Sequence, residues 1–95
     1  MNELEEVRAK IEKIDWEIIA LIEKRVNLAE KVLESKKHND KAINDESQNQ
    51  IVLNRAVNVA TEHNLDSGAL KEIFKILIKM NIDRQHELSG EGNLP

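Results

Sequence analysis

Two cations stand in the first helix where packing residues would be expected. Apolar residues recur at intervals of three and four from Leu4 onward, and continuing the same count reaches Arg25 and Lys36. Because an unpaired charge inside an apolar seam is costly, both side chains call for an anionic partner. They share one helix face, roughly 16 Å apart along the axis, so they can converge on a small anion. The alternative is that they reach solvent or pair with glutamates on neighbouring helices.

Arg8 is a third candidate, but its position is awkward within one chain. It precedes Arg25 by about 25 Å along a helix and lies on a different face. The two cannot contact one small ligand unless Arg8 comes from a second, antiparallel copy. Asn81 and Gln85 also continue an apolar stripe, that of the last helix, and these two can equally be core amides with satisfied hydrogen bonds.

The elements that must position these residues are helices, which predicts an all-α fold with three helices per chain. Gly and Pro are scarce, with three and one residues, and Gly weakens helix interiors while Pro breaks them. The first helix is predicted from Asn2 to about Lys37, the second from about Glu46 to His63, and the third from about Ser67 to Glu87.

Local capping signals mark where these helices begin and end. Asp45 and Gln48 form a D-x-x-Q capping box at the start of the second helix. Asn64 suits a left-handed C-terminal cap, and Asp66 caps the third helix. The predicted inner faces consist of Val52, Ala56, Val59 and Ala60 on the second helix, and Leu70, Ile73, Phe74, Leu77 and Ile78 on the third.

The length of the first helix predicts a homodimer. About 35 residues form a rod of roughly 50 Å, whereas a compact chain of this length has a radius of gyration of about 12 to 13 Å. The rest of the chain cannot cover such a rod, so two long helices are expected to pack against each other. Residues 1–88 are predicted as one helical domain and residues 89–95 as a disordered tail.

Composition excludes several kinds of function. The chain has 34% charged residues, one Phe, one Trp, no Tyr and no Cys, which leaves aliphatic helix packing and removes thiol chemistry and disulfides. A net charge of -4 without a basic stripe argues against nucleic acid. His38, His63 and His86 lack metal-ligand spacing. No apolar stretch predicts a membrane span or a signal sequence, so a cytoplasmic protein is expected.

Taken together, these residues resemble the all-α chorismate mutase family over about residues 3 to 87. The resemblance is carried by an I-D pair, an E-x-R element, an L-A pair and a late Lys, in the family's order of helices. The matching segments are Val7–Ile11, Ile14-Asp15, Leu21–Arg25, Leu28-Ala29, Lys36, Ile43–Asp45, His63–Asp66, Phe74 with Ile78, and Gln85.

The resemblance implies the rearrangement of chorismate to prephenate in an intertwined homodimer, without a metal or other cofactor. Arg25, and Arg8 of the partner subunit, would each bind a carboxylate of the substrate. Lys36 and Gln85 would donate hydrogen bonds to the ether oxygen whose bond breaks. Asp45 would recognise the ring hydroxyl, largely through its backbone, and Asn81 would line the same pocket.

The sequence departs from the family's pattern at the start of the second helix. Gln48 and Asn49 stand where the family usually has Arg and Glu, which orient the substrate and its ring hydroxyl. A lost charged hydrogen bond is worth very roughly 1.5 to 3 kcal/mol, so weakened or altered catalysis is expected. Two alternatives follow: an isochorismate-pyruvate lyase on the same scaffold, or a non-catalytic helical dimer.

Overall fold

The computed structural model describes residues 2–38 and 42–90. Over these residues the chain forms α1 (Glu3–Asn27), α2 (Ala29–His38), α3 (Glu46–Glu62) and α4 (Ser67–Leu88), without strands. The predicted all-α class is confirmed. None of these helices combines the length and the hydropathy that crossing a membrane requires.

The predicted long first helix is present, with one irregular residue. Leu28 separates α1 from α2 but keeps right-handed helical angles (φ -76°, ψ -8°). Its N–H donates to the carbonyl of Lys24, and its carbonyl accepts from the N–H of Val32 at 3.0 Å. Because the hydrogen bonds continue across Leu28, α1 and α2 act as one rod, and the fold has three helical rods as expected.

Both predicted N-cap residues, Asp45 and Asp66, are confirmed. Asp45 accepts a hydrogen bond from the Gln48 N–H at 3.2 Å and so begins α3. Asp66 accepts from the Ala69 N–H at 3.0 Å and begins α4. Such caps satisfy backbone N–H groups that have no partner within the helix.

A tight turn reverses the chain between α3 and α4. Asn64 takes the left-handed conformation predicted for it, with φ 56°. The Leu65 N–H donates to the Ala60 carbonyl at 2.9 Å, and the Asn64 N–H donates to the Thr61 carbonyl at 3.3 Å. This is the pair of bonds of a Schellman motif, and it holds α3 and α4 together as a helical hairpin.

α4 is the element against which the other helices pack. It contacts α3 most extensively and also contacts α1 and α2. Among the residues whose burial the structure describes, the buried apolar ones belong to α2 and α3, whereas the one buried polar residue, Gln85, belongs to α4. The buried apolar set is small, and comprises Ala29, Leu33, Val52, Leu53, Ala56 and Ala60.

The inner faces of α3 and α4 differ in part from the prediction. Val59 is exposed in the single chain, while Leu53, which was not predicted, is buried. The buried face of α3 therefore includes Leu53 instead of Val59, because the packing of α3 against α4 determines which side of the helix is covered. On α4, Ile73 is also exposed, whereas the other four predicted residues are partly buried.

The chain is elongated rather than compact. Its radius of gyration is 16.8 Å, against about 12 to 13 Å for a compact domain of this length. No residue of α1 is buried. Its six seam residues, Leu4, Val7, Ile11, Ile14, Ile18 and Leu21, are between 45% and 62% exposed.

α4 ends at Leu88, and its C-cap residue, Ser89, is the first residue of the segment predicted as a tail. The Ser89 N–H donates to the Gln85 carbonyl at 3.0 Å, and the Ser89 hydroxyl donates to the His86 carbonyl at 2.9 Å. Gly90 follows with φ 89°, a left-handed angle that glycine adopts without strain. Residues 91–95, the rest of the predicted tail, lie outside the described residues.

Candidate functional site

Seven of the eight residues predicted for the site surround one cavity. The cavity has a volume of about 240 Å³ and is formed by the end of α1, by α2, by the start of α3 and by the C-terminal half of α4. Its predicted members are Arg25, Lys36, Asp45, Gln48, Asn49, Asn81 and Gln85. The single chain therefore brings together the predicted polar residues other than Arg8.

Arg25 lies at the end of α1 and is partly buried beside a second arginine. Burial lowers the pKa of Arg25 from its ordinary value, and the nearby charge of Arg55 lowers it further. Its guanidinium carbon also lies 6.0 Å from the centre of the Phe74 ring, within the range of a cation–π contact. The guanidinium is thus partly desolvated and repelled by its cationic neighbour, both of which favour binding of an anion.

Lys36 projects from α2 and ties that helix to the segment before α3. Its ammonium group donates a hydrogen bond to the backbone carbonyl of Ile43. Burial lowers the pKa of Lys36 from 10.5, while the charge of Asp45 partly opposes that shift by raising it. The contact with Ile43 uses one of the three donors of the ammonium group, so Lys36 retains donors for a ligand.

The carboxylate of Asp45 is occupied by the structure of α3. Besides capping the helix at Gln48, its Oδ1 atom accepts a hydrogen bond from the Ser47 hydroxyl at 3.2 Å. Next to it, the Asn49 side-chain nitrogen donates to Asn44 Oδ1 at 2.8 Å. Two groups that hold site residues were not predicted: the carbonyl of Ile43, which accepts from Lys36, and the side chain of Asn44, which accepts from Asn49. Both residues lie in the segment Ile43–Asp45, which carries part of the family resemblance.

Asn81 and Gln85 are linked to each other and to the backbone of α1. The Asn81 side-chain nitrogen donates to the Arg25 carbonyl at 3.1 Å, and Gln85 Nε2 donates to Asn81 Oδ1 at 2.6 Å. Gln85 is only 1% exposed. The two amides are therefore hydrogen-bonded within the protein, as the core alternative predicted, and they also line the cavity.

The remaining wall of the cavity is apolar. It consists of Leu28, Val32, Val52, Ile78 and Ile82. Leu28 and Val32 lie between Arg25 and Lys36 in the helix seam, so the 3-4 spacing already identifies them. Ile82 follows Ile78 by one helical turn, and the same spacing could have found it.

Arg8 is the predicted site residue that the single chain does not bring to the cavity. It is exposed on α1, and the described residues lining the cavity do not include it. This agrees with the sequence-based geometry, in which Arg8 lies about 25 Å along the helix from Arg25.

A second depression, here called the apolar groove, adjoins the cavity. It has a volume of about 170 Å³ and lies between α3, the turn after it and α4. Its lining is Arg55, Ala56, Val59, Ala60, Leu65, Leu70 and Phe74. Because Phe74 lines the groove and contacts Arg25 of the cavity, the two depressions meet there.

The electrostatics of the cavity favour an anionic ligand. Lysine and arginine side chains farther along α4 form ion pairs within that helix: Lys75 with Glu72, Lys79 with Asp83, and Arg84 with Glu87. Two partly desolvated cations and several amide donors can hold a small carboxylate ligand. Over residues 2–38 and 42–90, no cluster of His, Asp and Glu that could bind a metal ion is present.

Known proteins provide an independent comparison. Residues 7–86 match the family model described as chorismate mutase type II. A chorismate mutase of Methanocaldococcus jannaschii is 37% identical over 81 residues, which cover 85% of this chain and 82% of that protein.

Two longer relatives match over almost the whole chain. Bifunctional chorismate mutase/prephenate dehydratases of two subspecies of Buchnera aphidicola, Schizaphis graminum and Acyrthosiphon pisum, are each 30% identical over 87 residues. These residues are 92% of this chain but only 23% of each relative. The family model covers most of the chain, and its span includes every predicted site residue, so the chain belongs to the chorismate mutase type II family.

Proposed function

We propose that this protein is a chorismate mutase, which converts chorismate to prephenate in the biosynthesis of phenylalanine and tyrosine. The observation that carries the proposal is the convergence of Arg25, Lys36 and Gln85 on one cavity in a member of this family. The activity named for the archaeal relative supports the same conclusion.

The reaction suits a site that contains cations and amides but no nucleophile. It is a unimolecular rearrangement in which a carbon–oxygen bond of the ether breaks while a carbon–carbon bond forms, without gain or loss of a proton. The protein must hold a flexible dianion in a chair-like conformer and stabilise negative charge on the ether oxygen. Cations in a partly desolvated pocket meet both needs, and no metal or organic cofactor is required.

Each polar residue then has a defined role. Arg25 binds one carboxylate, and Arg8 of the partner subunit binds the other. Lys36 and Gln85 donate hydrogen bonds to the ether oxygen. The backbone at Asp45 recognises the ring hydroxyl, because the carboxylate of that residue is engaged in capping α3.

The site requires a homodimer, and the exposed surface supports one. The single chain exposes 7535 Å², about 2,000 Å² more than the roughly 5,600 Å² expected for a compact monomer of 10.9 kDa. Covering that excess on both copies would bury about 4,000 Å², within the range of permanent homodimers. The half-exposed apolar seam of α1 is the surface that the second copy would cover.

The apolar groove suggests how the second copy delivers Arg8. Leu4, Val7 and Ile11 flank Arg8 along α1 and are about half exposed. In an antiparallel pair, this stretch of the partner would fill the apolar groove beside Phe74. Arg8 of the partner subunit would then reach Arg25 where the groove meets the cavity.

Two other functions remain in competition because of Gln48 and Asn49. Both line the cavity, and the amide nitrogen of Asn49 is already bonded to Asn44. A neutral pair at this wall can bind a differently substituted ring, which would give an isochorismate-pyruvate lyase. It can also belong to a non-catalytic dimer. Release of pyruvate from isochorismate selects the lyase, and a folded dimer inactive on both substrates selects the non-catalytic protein. A cytoplasmic location fits each of the three.

Substitution of the cavity cations tests the proposal. Arg25→Ala and Lys36→Ala should each lower turnover of chorismate at least about 100-fold, the scale for removal of one preorganised charge-stabilising donor. Lys31→Ala is the matched control, because Lys31 is an exposed lysine of α2 that does not line the cavity. Circular dichroism verifies that each variant remains helical. Full activity of both cavity variants would show that the site is elsewhere.

A further inference from the structure

Three groups in the cavity wall form a directed chain of hydrogen bonds. It runs from the Gln85 amide to the Asn81 amide at 2.6 Å, and from Asn81 to the backbone carbonyl of Arg25 at 3.1 Å. A backbone carbonyl can only accept, so the Asn81 nitrogen must face Arg25 and the Asn81 oxygen must face Gln85. The Gln85 nitrogen must then be the atom that meets that oxygen, because the flipped amide would place two oxygens 2.6 Å apart.

Asn81 supplies both contacts of the Gln85 amide nitrogen, a short one through its side-chain oxygen and a longer one through its backbone carbonyl. Gln85 is 1% exposed, so its amide cannot turn to solvent. Its Oε1 atom is buried and has no hydrogen-bond partner among the described residues. A buried carbonyl without a donor favours any rotation that finds one, so the bond to Asn81 is the contact that fixes which end of the amide serves as donor.

The second hydrogen of Gln85 Nε2 remains available to a ligand. Besides its bond to the Asn81 side chain, Gln85 Nε2 donates only a long and weak hydrogen bond, to the Asn81 backbone carbonyl at 3.4 Å. A ligand oxygen can replace that weak acceptor. We propose that Asn81 is a positioning residue, anchored on the Arg25 carbonyl, that orients the Gln85 amide so that an N–H group rather than the carbonyl faces the substrate's ether oxygen. The catalytic meaning of this inference rests on the proposed function, whereas the hydrogen-bond chain itself does not.

The hydrogen-bond chain also couples the part of the site that binds a carboxylate to the part that binds the ether oxygen. Arg25 contributes its side chain to a carboxylate and its backbone carbonyl to the support of Gln85. Any shift of α1 against α4 at this point moves the carboxylate contact and the ether-oxygen contact together. Preorganisation of this kind has large effects, since a misplacement of about 1 Å can cost roughly 100-fold in rate.

The hydrogen-bond chain is tested first, without use of activity. Proton exchange of the Gln85 side-chain amide is measured by nuclear magnetic resonance in the wild type, in Asn81→Ala and in Asn81→Asp. Exchange should be about tenfold faster in Asn81→Ala, which removes one hydrogen bond. Asn81→Asp keeps an oxygen that accepts from Gln85 but loses the N–H that donates to the Arg25 carbonyl, so its exchange rate should lie between those of the wild type and Asn81→Ala. Equal exchange in the wild type and Asn81→Ala would overturn the inference, and thermal melts verify that each variant is folded.

A double-mutant cycle then tests the positioning role. Asn81→Ala should lower kcat about 10-fold to 100-fold while KM changes less than about threefold. In the Gln85→Ala background the same substitution should have no further effect, because a residue that acts only through Gln85 is fully coupled to it. A raised KM with unchanged kcat, or losses that multiply in the double variant, would mean that Asn81 binds the substrate directly. If the wild-type protein is inactive on chorismate, the proposed function is rejected. The exchange measurement would still show whether Asn81 holds the Gln85 amide.

Discussion

A mixture of two inactive variants should recover activity if each site draws on both subunits. Arg8→Ala removes the residue that we propose the partner supplies, and Lys36→Ala removes a residue of the cavity's own chain. Removal of one preorganised charge-stabilising donor should lower the rate about 100-fold or more, so each parent should keep about 1% of wild-type activity or less. Each parent homodimer carries one defect in both of its sites.

The heterodimer concentrates the defects in one site. One of its cavities receives both substitutions, and the other receives neither. Random reassociation of equal amounts gives about half heterodimers, so about a quarter of all sites are intact. The mixture should therefore recover about 25% of wild-type turnover per subunit, well above either parent.

The assay is a time course of prephenate formation after the two variants have been unfolded together and refolded. Unmixed variants carried through the same treatment give the baseline, and refolded wild type gives the full scale. A mixture no more active than the mean of its parents would refute the shared site, and with it the role given to Arg8.

Four further outcomes follow from particular contacts. Gln48→Arg should raise kcat/KM about 10-fold or more, because it adds a charged donor to a wall that now offers an amide. The activity of the wild type should fall at high pH as Lys36 loses its proton, and this loss should occur below the ordinary value of 10.5 because burial lowers the pKa of Lys36. Asp66→Ala should lower the free energy of unfolding by about 1 kcal/mol in thermal denaturation at fixed protein concentration, because it removes the cap of α4. Ile14→Glu should convert the dimer to an inactive monomer in sedimentation velocity, because it places a charge in the half-exposed seam of α1.

Each of these has a matched control. Gln50→Arg adds the same charge to α3 at an exposed position outside the cavity and should leave activity unchanged. In Lys36→Arg, whatever activity remains should not fall in the pH range where wild-type activity is lost, because a guanidinium does not titrate there. Asp66→Asn keeps a capping oxygen and should retain most of the stability. Ala20→Glu adds a charge to the opposite side of α1 and should remain dimeric. If Ala20→Glu is monomeric as well, the loss of the dimer in Ile14→Glu is no evidence that the seam forms the interface.

The features that the sequence predicted well are those set by local chemistry. Asp45 and Asp66 cap their helices and Asn64 is left-handed, because such motifs depend on a few neighbouring residues. The positions of Arg25 and Lys36 on one cavity follow from helical periodicity. The polar residues of α3 and α4 in the cavity followed from the resemblance, since one chain's periodicity does not reveal which helices meet.

The features that it missed are those set by tertiary packing. Val59 and Leu53 exchange places relative to the prediction, because the angle at which α3 meets α4 determines which of two border residues is covered. The bond from Lys36 to the carbonyl of Ile43 and the direction of the Gln85–Asn81 pair depend on atoms from separate helices and loops. No spacing rule within one segment contains that information.

The most direct test of the central claim is incubation of the purified protein with chorismate, with the disappearance of substrate followed together with the formation of prephenate and pyruvate. A chorismate mutase should produce prephenate well above the uncatalysed background, in step with the loss of chorismate and without release of pyruvate. A folded, helical dimer that leaves chorismate at the background rate would contradict the assignment, and isochorismate would then separate the lyase from the non-catalytic protein.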